Sequence, residues 1–264
     1  MGKRRLDTLL AERGLYESRT RAAAAVMAGD VAIGNDGRRA EKPGQMVPDD
    51  AELVVAEGPR YVSRGGVKLA NALEGFGLDP TGRRCMDVGA STGGFTDCLL
   101  QHGAEEVVTL DVAYGELSWK LREDPRVTVI ERVNARSVEP GQLPFPPELI
   151  AIDVSFISLR KVLPAVLACA DARFDCLAMV KPQFEVGRER VGSGGVVHEP
   201  AERRAALVAV GECVREEIGA TVLGYASSGL PGPAGNRETF VWIAEAARAD
   251  GVEDLDAAAR TVEP

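Results

Sequence analysis

Two lysines and two carboxylates lie at places where a folded chain can bring charged side chains together. Asp153 and Lys181 each end a run of apolar residues that predicts a buried strand. Lys68 follows a Gly-Gly turn, and Glu238 follows a Gly-Asn-Arg segment. A single charge at a strand end is usually a solvated terminus. Opposite charges on adjacent strand ends beside a probable ligand pocket are less easily explained in that way and indicate a candidate functional site.

The glycine-rich segment 83–100 predicts where a ligand would bind. It contains a short strand, Cys85 to Val88, then a glycine turn, then a helix that opens near Phe95. The spacing is not Gly-x-Gly-x-x-Gly, so a nicotinamide dinucleotide is not indicated. Asp87, before the glycines, and Asp111, at the end of the next strand, suit a ligand with an amine and a ribose. S-adenosylmethionine has both, although an ordinary strand, turn and helix without a ligand would show the same pattern.

The candidate cofactor residues share a place in or just after a strand that leads to the carboxyl edge of the predicted sheet. They are Asp87, Gly89, Ser91, Gly93, Gly94, Asp111 and Asn134. The glycines let the backbone approach a ligand closely. Asp111 can accept bonds from ribose hydroxyls or can be an ordinary turn aspartate. Asn134 can contact an adenine or can cap the following helix, and the sequence favours neither.

Composition limits the class of protein. A chain of 264 residues with 45% hydrophobic content can bury a full core and carry a small extra domain. The five cysteines form no Cys-x-x-Cys pair, which indicates neither a zinc site nor a disulfide framework and favours a reducing compartment. The N-terminus lacks the apolar core of a signal peptide, and no run approaches the roughly 18 apolar residues of a membrane span. We expect a soluble cytoplasmic protein without a metal.

The charge is distributed unevenly along the chain. The net charge is −9, yet residues 1–42 carry nine Lys or Arg against six Asp or Glu. A basic module attached to an acidic body is the asymmetry expected when one part docks on phosphates. The module is predicted to contain two helices, from residues 4–14 and Arg19–Ala28. Short strands at Val31–Ile33 and Leu53–Ala56, with a turn at residues 35–37, complete a small α+β unit.

The remaining chain alternates strands with helices. This alternation predicts a mainly parallel sheet covered by helices on both faces, in an α/β fold. Helices are predicted at Val67–Gly75, Leu159–Cys169 and Glu202–Ile218. The predicted strands after Cys85–Val88 are Val107–Val112, Val127–Ile130, Leu149–Asp153, Cys176–Val180, Thr221–Ala226 and Phe240–Ala244. The predicted division is a domain at 1–58, a linker at 59–66, a domain at 67–246 and a tail at 247–264.

Five motifs together resemble the TlyA (hemolysin A) family, whose members are ribosomal-RNA 2′-O-methyltransferases with an FtsJ-like catalytic domain. They are Ser63-Arg-Gly-Gly-x-Lys68, Asp87-Val-Gly-x-Ser-Thr-Gly-Gly-Phe-Thr96, Ile152-Asp-Val-Ser-Phe-Ile157, Val180-Lys-Pro-Gln-Phe-Glu185 and Gly235-Asn-x-Glu238. The resemblance implies a Rossmann-like class I methyltransferase with a seven-stranded sheet and S-adenosylmethionine as cofactor. It also implies a catalytic tetrad of Lys68, Asp153, Lys181 and Glu238. In that tetrad Lys181 is central and Asp153 orients it, while Lys68 and Glu238 hold the ribose hydroxyl.

The basic module resembles the RNA-binding domain named after ribosomal protein S-four. The pattern is Arg4-Leu-Asp-x-Leu-Leu-Ala-Glu-Arg-Gly, then Ser18-Arg19, then Gly29-x-Val-x-Ile-x-Gly34. The candidate RNA-binding arginines are Arg4, Arg5, Arg13, Arg19, Arg21 and Arg60, although scattered arginines are also typical of a solvated helix surface. Arg60 lies in the segment 60–63, which either couples RNA docking to catalysis or is a flexible spacer.

Other functions remain open on the sequence alone. A methyltransferase acting on a base amine would usually show Asn/Asp-Pro-Pro-Tyr/Phe where this chain has Asp153-Val-Ser-Phe. A C5-pyrimidine enzyme would need a cysteine nucleophile, commonly after proline, and neither Cys169 nor Cys176 follows one. A membrane-active hemolysin lacks support, and a non-catalytic ribosome-assembly factor stays possible. Members of the resembled family modify either both ribosomal subunits or the large one only, and by this resemblance the start Lys3-Arg4-Arg5 favours both. A monomer is expected.

Overall fold

The computed structural model describes residues 2–34, 37–55 and 59–263. The chain divides into two compact units, Met1–Arg60 and Tyr61–Pro264. Part of the predicted turn at 35–37 and the end of the predicted strand at Ala56 lie outside the described residues. The two units are described in turn.

The N-terminal unit packs two helices against short antiparallel strands. Its elements are β1 (Lys3–Arg5), α1 (Leu6–Glu12), α2 (Arg19–Ala28), β2 (Val31–Ile33), β3 (Arg38–Arg39), β4 (Met46–Pro48) and β5 (Leu53–Val55). The β1 strand pairs with β4, and β2 pairs with both β3 and β5. Ser18 caps α2 by accepting a hydrogen bond from the Arg21 backbone, and Gly29 ends it in the left-handed conformation. The first helix is shorter than predicted, because residues 3–5 pair with a strand more than forty positions away.

The C-terminal unit contains a sheet of seven strands within the described residues. Its strands are β6 (Arg84–Val88), β7 (Glu106–Asp111), β8 (Val127–Glu131), β9 (Leu149–Ile152), β10 (Asp175–Val180), β11 (Thr221–Ser227) and β12 (Thr239–Ala244). Their order across the sheet is β11-β12-β10-β9-β6-β7-β8. The β12 strand runs antiparallel to both neighbours, and the other neighbouring pairs are parallel. The predicted α/β fold with a mainly parallel seven-stranded sheet is confirmed.

Both faces of this sheet are buried, which explains why its central strands appear as continuous apolar runs. Within β6, Cys85 belongs to the apolar cluster on one face and Met86 to the cluster on the other. The same alternation separates Leu177 from Ala178 in β10. All five cysteines are free and buried. Within the described ranges, no helix combines the length and the apolar character needed to cross a membrane.

Helices cover the sheet. They are α3 (Arg64–Phe76), α4 (Gly94–Gln101), α5 (Trp119–Arg122), α6 (Leu163–Leu167), α7 (Pro200–Glu212) and α8 (Leu255–Val262). The predicted helix 159–169 is divided into a 3₁₀ turn at Leu159–Lys161 and the short α6, which has Pro164 in its first turn. The predicted helix 202–218 is α7 followed by a π-helical segment, Cys213–Ile218.

The predicted linker and tail both contribute to the C-terminal unit. The α3 helix begins at Arg64, inside the segment 59–66. The Tyr61 side chain is buried, and a Cβ atom at Gly66 would lie 2.3 Å from its ring, so only glycine fits there. The tail, in turn, contains α8, whose Leu255 and Ala259 are buried in the apolar core. Both segments join the unit as parts of helices, and the apolar positions of α8 have the spacing of a helix that buries one face.

A buried acid stabilises the end of the sheet opposite the candidate site. The Asp175 carboxylate lies 2.9 Å from Arg83 Nη2 and 2.9 Å from Arg248 Nη1, and it accepts a 2.9 Å hydrogen bond from Trp242 Nε1. Replacing Asp175 by alanine leaves these donors without their shared acceptor. We expect the free energy of unfolding to fall by about 3 kcal/mol, measured by chemical denaturation.

The matched control for Asp175→Ala is Asp171→Ala. Asp171 pairs with Arg84 at 3.2 Å, but both side chains are about one-third exposed. Solvent screens such a pair, so its loss should cost less than about 1 kcal/mol. Equal losses for the two variants would contradict the assignment of Asp175 as the buried centre of the cluster.

Candidate active site

Lys68 and Glu238 form a buried ion pair. Lys68 lies in the second turn of α3, and its Nζ donates to Glu238 Oε2. The side chains are only 8% and 2% exposed. Glu238 immediately precedes β12, whose first residue, Thr239, pairs with Val180 at the carboxyl end of β10. Because β12 is antiparallel, the residue before it lies at the same edge as the residues that follow the parallel strands.

Lys181 and Asp153 form a second pair at that edge. Asp153 directly follows β9, and Lys181 directly follows β10, its parallel neighbour. The distance from Lys181 Nζ to Asp153 Oδ1 is 2.6 Å. Lys181 Nζ also donates a 2.8 Å hydrogen bond to Ser155 Oγ. The Lys181 side chain is 11% exposed, so its charge is largely shielded from water.

Both pairs line one cavity of about 440 Å³. The glycine turn after β6 forms another wall, with Gly89 and Gly94 both at its surface. A Cβ atom at Gly89 would lie 2.4 Å from the Asp153 carbonyl oxygen, and φ there is +84°. A Cβ atom at Gly94 would lie 2.2 Å from Ser63 Oγ. Both positions therefore exclude any other residue, and the backbone is left open toward the cavity.

Asp87 is a buried carboxylate with one oxygen still available. Its Oδ2 accepts hydrogen bonds from the Thr96 backbone at 2.9 Å and from Thr96 Oγ1 at 2.7 Å. Its Oδ1 has no hydrogen-bond partner among the residues that the structure describes. Burial, with smaller contributions from the charges of Asp153 and Asp111, raises the pKa of Asp87 to about 7 despite the Thr96 hydrogen bonds, which lower it. An unpartnered buried oxygen at the cavity wall suits a cationic ligand group.

A second cavity of about 470 Å³ shares Gly89, Ser91 and Asp153 with the first. Asp111 lies in its wall and accepts one backbone hydrogen bond on each oxygen, from Ser91 at 2.7 Å and from Ala113 at 2.8 Å. A carboxylate oxygen can accept a further bond, so ribose hydroxyls can still bind here. The shared wall makes the two cavities suitable for one elongated ligand.

Two predicted cofactor residues have structural roles. Asn134 has such a role as well as lining a cavity, whereas Gly93 has only a structural role. Asn134 lines the second cavity and also caps the next 3₁₀ turn, accepting a 3.0 Å hydrogen bond from the Arg136 backbone. Gly93 lines neither cavity. Its φ is +94°, and a Cβ atom there would lie 2.3 Å from Leu121 Cδ1, so it permits close packing of α5 against the turn.

Some predicted RNA-binding arginines are bound within the N-terminal unit. Arg13 donates hydrogen bonds of 2.6 Å to the carbonyl oxygens of Ala51 and Asp49. Arg4 lies 2.5 Å from Glu12 and 3.1 Å from the Asp49 carboxylate. Both side chains therefore stabilise this unit.

Other arginines remain more accessible. Arg19 and Arg21 are 59% and 73% exposed, and each is 3.6 Å from one carboxylate, Asp7 and Glu17 respectively. Arg5 lies 2.7 Å from Asp7 and, by hydrogen bonding, lowers the pKa of that carboxyl below its ordinary value.

Sequence reasoning missed several residues that the structure brings into or near these sites. Arg38 and Arg39 form the exposed strand β3, and Arg60, which was predicted, is also exposed. In the C-terminal unit, Ser155 lines both cavities and Thr96 holds Asp87. The sequence did contain a signal for each. Ser155 comes two residues after Asp153, which ends a strand, and Thr96 lies in the first turn of the helix that follows the glycine turn.

The fold and the site define a class I, Rossmann-like methyltransferase. A family model described as FtsJ-like methyltransferase matches residues 61–245, and a model described as S4 domain matches residues 4–53. The chain belongs to the FtsJ-like methyltransferase family and carries an N-terminal S4 domain. The predicted family resemblance and enzyme class are confirmed, and the cofactor of this enzyme is S-adenosylmethionine.

Three similar proteins cover most of the chain. The 16S/23S rRNA (cytidine-2′-O)-methyltransferase TlyA of Mycobacterium tuberculosis is 48% identical over 95% of this chain and 94% of its own. Hemolysin A of Brachyspira hyodysenteriae is 36% identical over 89% of this chain and 97% of its own. A solved structure from Streptococcus thermophilus, of a protein proposed to be a hemolysin, has a TM-score of 0.73 and 39% identity. It covers 99% of this chain and 96% of its own.

Proposed function

We propose that this protein transfers a methyl group from S-adenosylmethionine to the 2′-hydroxyl of cytidine in ribosomal RNA. The observation that carries the proposal is the convergence of two lysine–carboxylate pairs on one cavity beside the glycine turn. The 48% identity to the 16S/23S rRNA (cytidine-2′-O)-methyltransferase supports cytidine as the target and both subunits as substrates. The S4 domain supports an RNA substrate.

The cavity walls fit the cofactor. The unpartnered Oδ1 of Asp87 would hold its amino group, and Asp111 would hold its ribose hydroxyls. Gly89, Gly94 and Ser91 would form the wall against which it lies, and Asn134 would contact the adenine side. When bound, S-adenosylmethionine supplies a methyl group on a positively charged sulfur, which keeps the bonding electron pair as the methyl group leaves.

The tetrad would prepare the ribose hydroxyl for attack. A 2′-hydroxyl is a poor nucleophile at neutral pH, so it needs a positioned base. We assign that role to Lys181 Nζ, which takes the hydroxyl proton while the Asp153 carboxylate, 2.6 Å away, orients the amine and stabilises the ammonium that forms. Lys68 and Glu238 would hold the same hydroxyl in line with the methyl group, since alignment removes part of the barrier.

The proposal extends to partners and location. The four tetrad residues converge within a single chain, which supports the proposal that the protein acts as a monomer. Lys181 supplies the base, so the reaction as proposed uses no metal ion. We place the protein in the cytoplasm, where ribosomal subunits are available.

A methylation assay tests the proposed function. Purified protein is incubated with ribosomal subunits and a methyl-labelled cofactor, and the modified nucleotide is located by resistance to alkaline cleavage and by reverse-transcription stops. We expect label on the 2′-oxygen of a cytidine. Label on a base would overturn the reaction proposed, and RNA binding without any transfer would support a non-catalytic assembly factor.

The N-terminal arginines provide a separate test of RNA binding. Replacing Arg19 and Arg21 together by alanine removes two exposed charges. We expect RNA affinity to fall about tenfold at low salt and the slope of log K against log salt to decrease by roughly 1.5. The control is a double alanine variant of Arg126 and Arg260, which are 46% and 58% exposed in the C-terminal unit. An unchanged salt slope in the first variant would exclude these arginines from the RNA interface.

A further inference from the structure

The turn between Asp153 and Ser158 adopts an uncommon backbone conformation beside the tetrad. Phe156 has a φ of +64°, in the left-handed region that a bulky side chain rarely occupies. Its ring is 92% exposed, so burial of the ring does not offset the strain. Residues held in such conformations persist when the surrounding structure fixes them, and they cluster at functional sites.

Both ends of this turn are fixed by hydrogen bonds. At its start, the Asp153 backbone donates a 2.9 Å hydrogen bond to the Val88 carbonyl oxygen. At its end, the buried Glu185 carboxylate accepts a 2.6 Å bond from Ser158 Oγ and a 2.7 Å bond from the Leu159 backbone. The turn is therefore anchored to β6 on one side and to the segment after β10 on the other.

Ser155 is the residue of this turn that contacts the tetrad. Its hydroxyl oxygen lies 2.8 Å from Lys181 Nζ and lines the cavity that contains both ion pairs. Among the described residues, the hydroxyl that the Lys181 amine contacts therefore belongs to a turn with a strained backbone, and both ends of this turn are held by hydrogen bonds.

Because an amine nitrogen is tetrahedral, the contact with Ser155 restricts the direction of the lone pair on Lys181 Nζ. A neutral lysine amine has two N–H groups and one lone pair. Ser155 Oγ, at 2.8 Å, accepts a hydrogen bond from one N–H group. Asp153 Oδ1 lies 2.6 Å from Nζ without hydrogen-bond geometry, and its negative charge attracts the second N–H group. The remaining tetrahedral position is then the lone pair. With Asp153 alone, the lone pair could occupy either of the two positions that do not face the carboxylate.

We propose that Ser155 is a positioning residue for Lys181, because its hydroxyl fixes the rotation of the amine and directs the lone pair at the ribose hydroxyl. The inference rests on the proposed function and deepens it. In the step concerned, the O–H bond of the 2′-hydroxyl breaks and the proton forms a third N–H bond on Lys181. Ser155 remains a hydrogen-bond acceptor, and Asp153 a neighbouring negative charge, before and after this transfer.

The test compares Ser155→Ala with Ser155→Thr. Alanine removes the acceptor, whereas threonine keeps it and adds a methyl group at an exposed position. We expect Ser155→Ala to lower kcat about tenfold while KM for RNA and Kd for the cofactor change less than twofold. The threonine variant should recover most of kcat. Ser193→Ala, which changes an exposed serine outside both cavities, is the control.

A second readout needs neither cofactor nor RNA. Trace acetylation of the free protein, quantified at Lys181 by mass spectrometry across a pH series, reports how readily the amine reacts. We expect Lys181 to be acetylated faster in Ser155→Ala than in the wild-type protein, because its amine loses a hydrogen-bond partner, and the wild-type rate to return in Ser155→Thr.

The two readouts separate failure of this inference from failure of the proposed function. An acetylation curve for Ser155→Ala that overlays the wild-type curve would overturn the role of Ser155, as would a loss confined to cofactor affinity. If the wild-type protein transfers no methyl group to RNA, the proposed function fails, and the acetylation curves still decide whether Ser155 controls the Lys181 amine.

Discussion

Replacing Lys181 by alanine is expected to lower the rate of methyl transfer roughly a thousandfold, the middle of the range for loss of a general base. The amine lies 2.6 Å from Asp153 and lines the cavity where the ribose would bind. No other lysine takes its place there, since Lys68 is paired with the buried Glu238. The measurement is single-turnover transfer of labelled methyl groups to ribosomal subunits, so that product release does not mask the chemical step.

Two further variants distinguish loss of the base from loss of charge. Lys181→Arg keeps a positive charge next to Asp153, but a guanidinium cannot take a proton at neutral pH, so this variant should be as inactive as Lys181→Ala. Lys161→Ala removes an exposed lysine and should retain full activity. Substantial transfer by Lys181→Arg would show that the residue acts through its charge, and the assignment of Lys181 as base would be wrong.

Cofactor affinity is expected to fall about tenfold for each pH unit below 7, provided that the amino group binds the ionised form of Asp87. Burial raises the pKa of this carboxyl to about 7 in the free protein. Below that pH the carboxyl is protonated, and binding a cationic amine must first expel the proton. Above it the carboxylate is already ionised and affinity should level off. Calorimetric titration of the cofactor between pH 5.5 and 8.5 measures this dependence.

Asp87→Asn is the critical variant for this prediction. The amide keeps the size of the side chain but removes the ionisable group, so the affinity should be about a hundredfold lower at pH 8 and no longer depend on pH near 7. Asp111 and Asp153 also face Asp87 and raise its pKa. Asp111→Asn is therefore the control, and it should weaken binding while retaining a pH dependence. A flat profile for the wild-type protein would contradict ionisation of Asp87 as the controlling event.

The raised pKa of Asp87 also predicts how the stability of the free protein changes with pH. The pKa of Asp87 is higher in the folded state than its ordinary value of 3.8. The stability that the protonated form provides is therefore fully present below about pH 4 and is lost as the pH rises through 7. A bound cation would offset this loss above pH 7, which links cofactor binding to the stability of the site.

The sequence by itself determined the framework of the catalytic unit. The predicted strands agree with the observed ones to within one residue at either end, because a sheet buried on both faces requires uninterrupted apolar runs. The glycine turn after β6 could also be predicted from the sequence. A Cβ atom at Gly89 would collide with Asp153, and one at Gly94 with Ser63, so the close approach of distant segments requires glycine at both positions, and the glycines themselves are visible in the sequence. The strand-end positions of Asp153 and Lys181 followed from the same runs.

Only the tertiary structure decided which other residues join the site. Glu238 reaches Lys68 because β12 enters the sheet antiparallel, and strand direction depends on pairing with β10 rather than on any local pattern. Ser155 contacts Lys181 from a turn whose two ends are held by hydrogen bonds to Val88 and to Glu185, both distant in the sequence. Apolar periodicity is a local pattern in the sequence, and it indicates which side chains are buried. Strand direction, strained turns and the packing of the tail helix arise from contacts between residues far apart in the chain, and no short stretch of sequence records them.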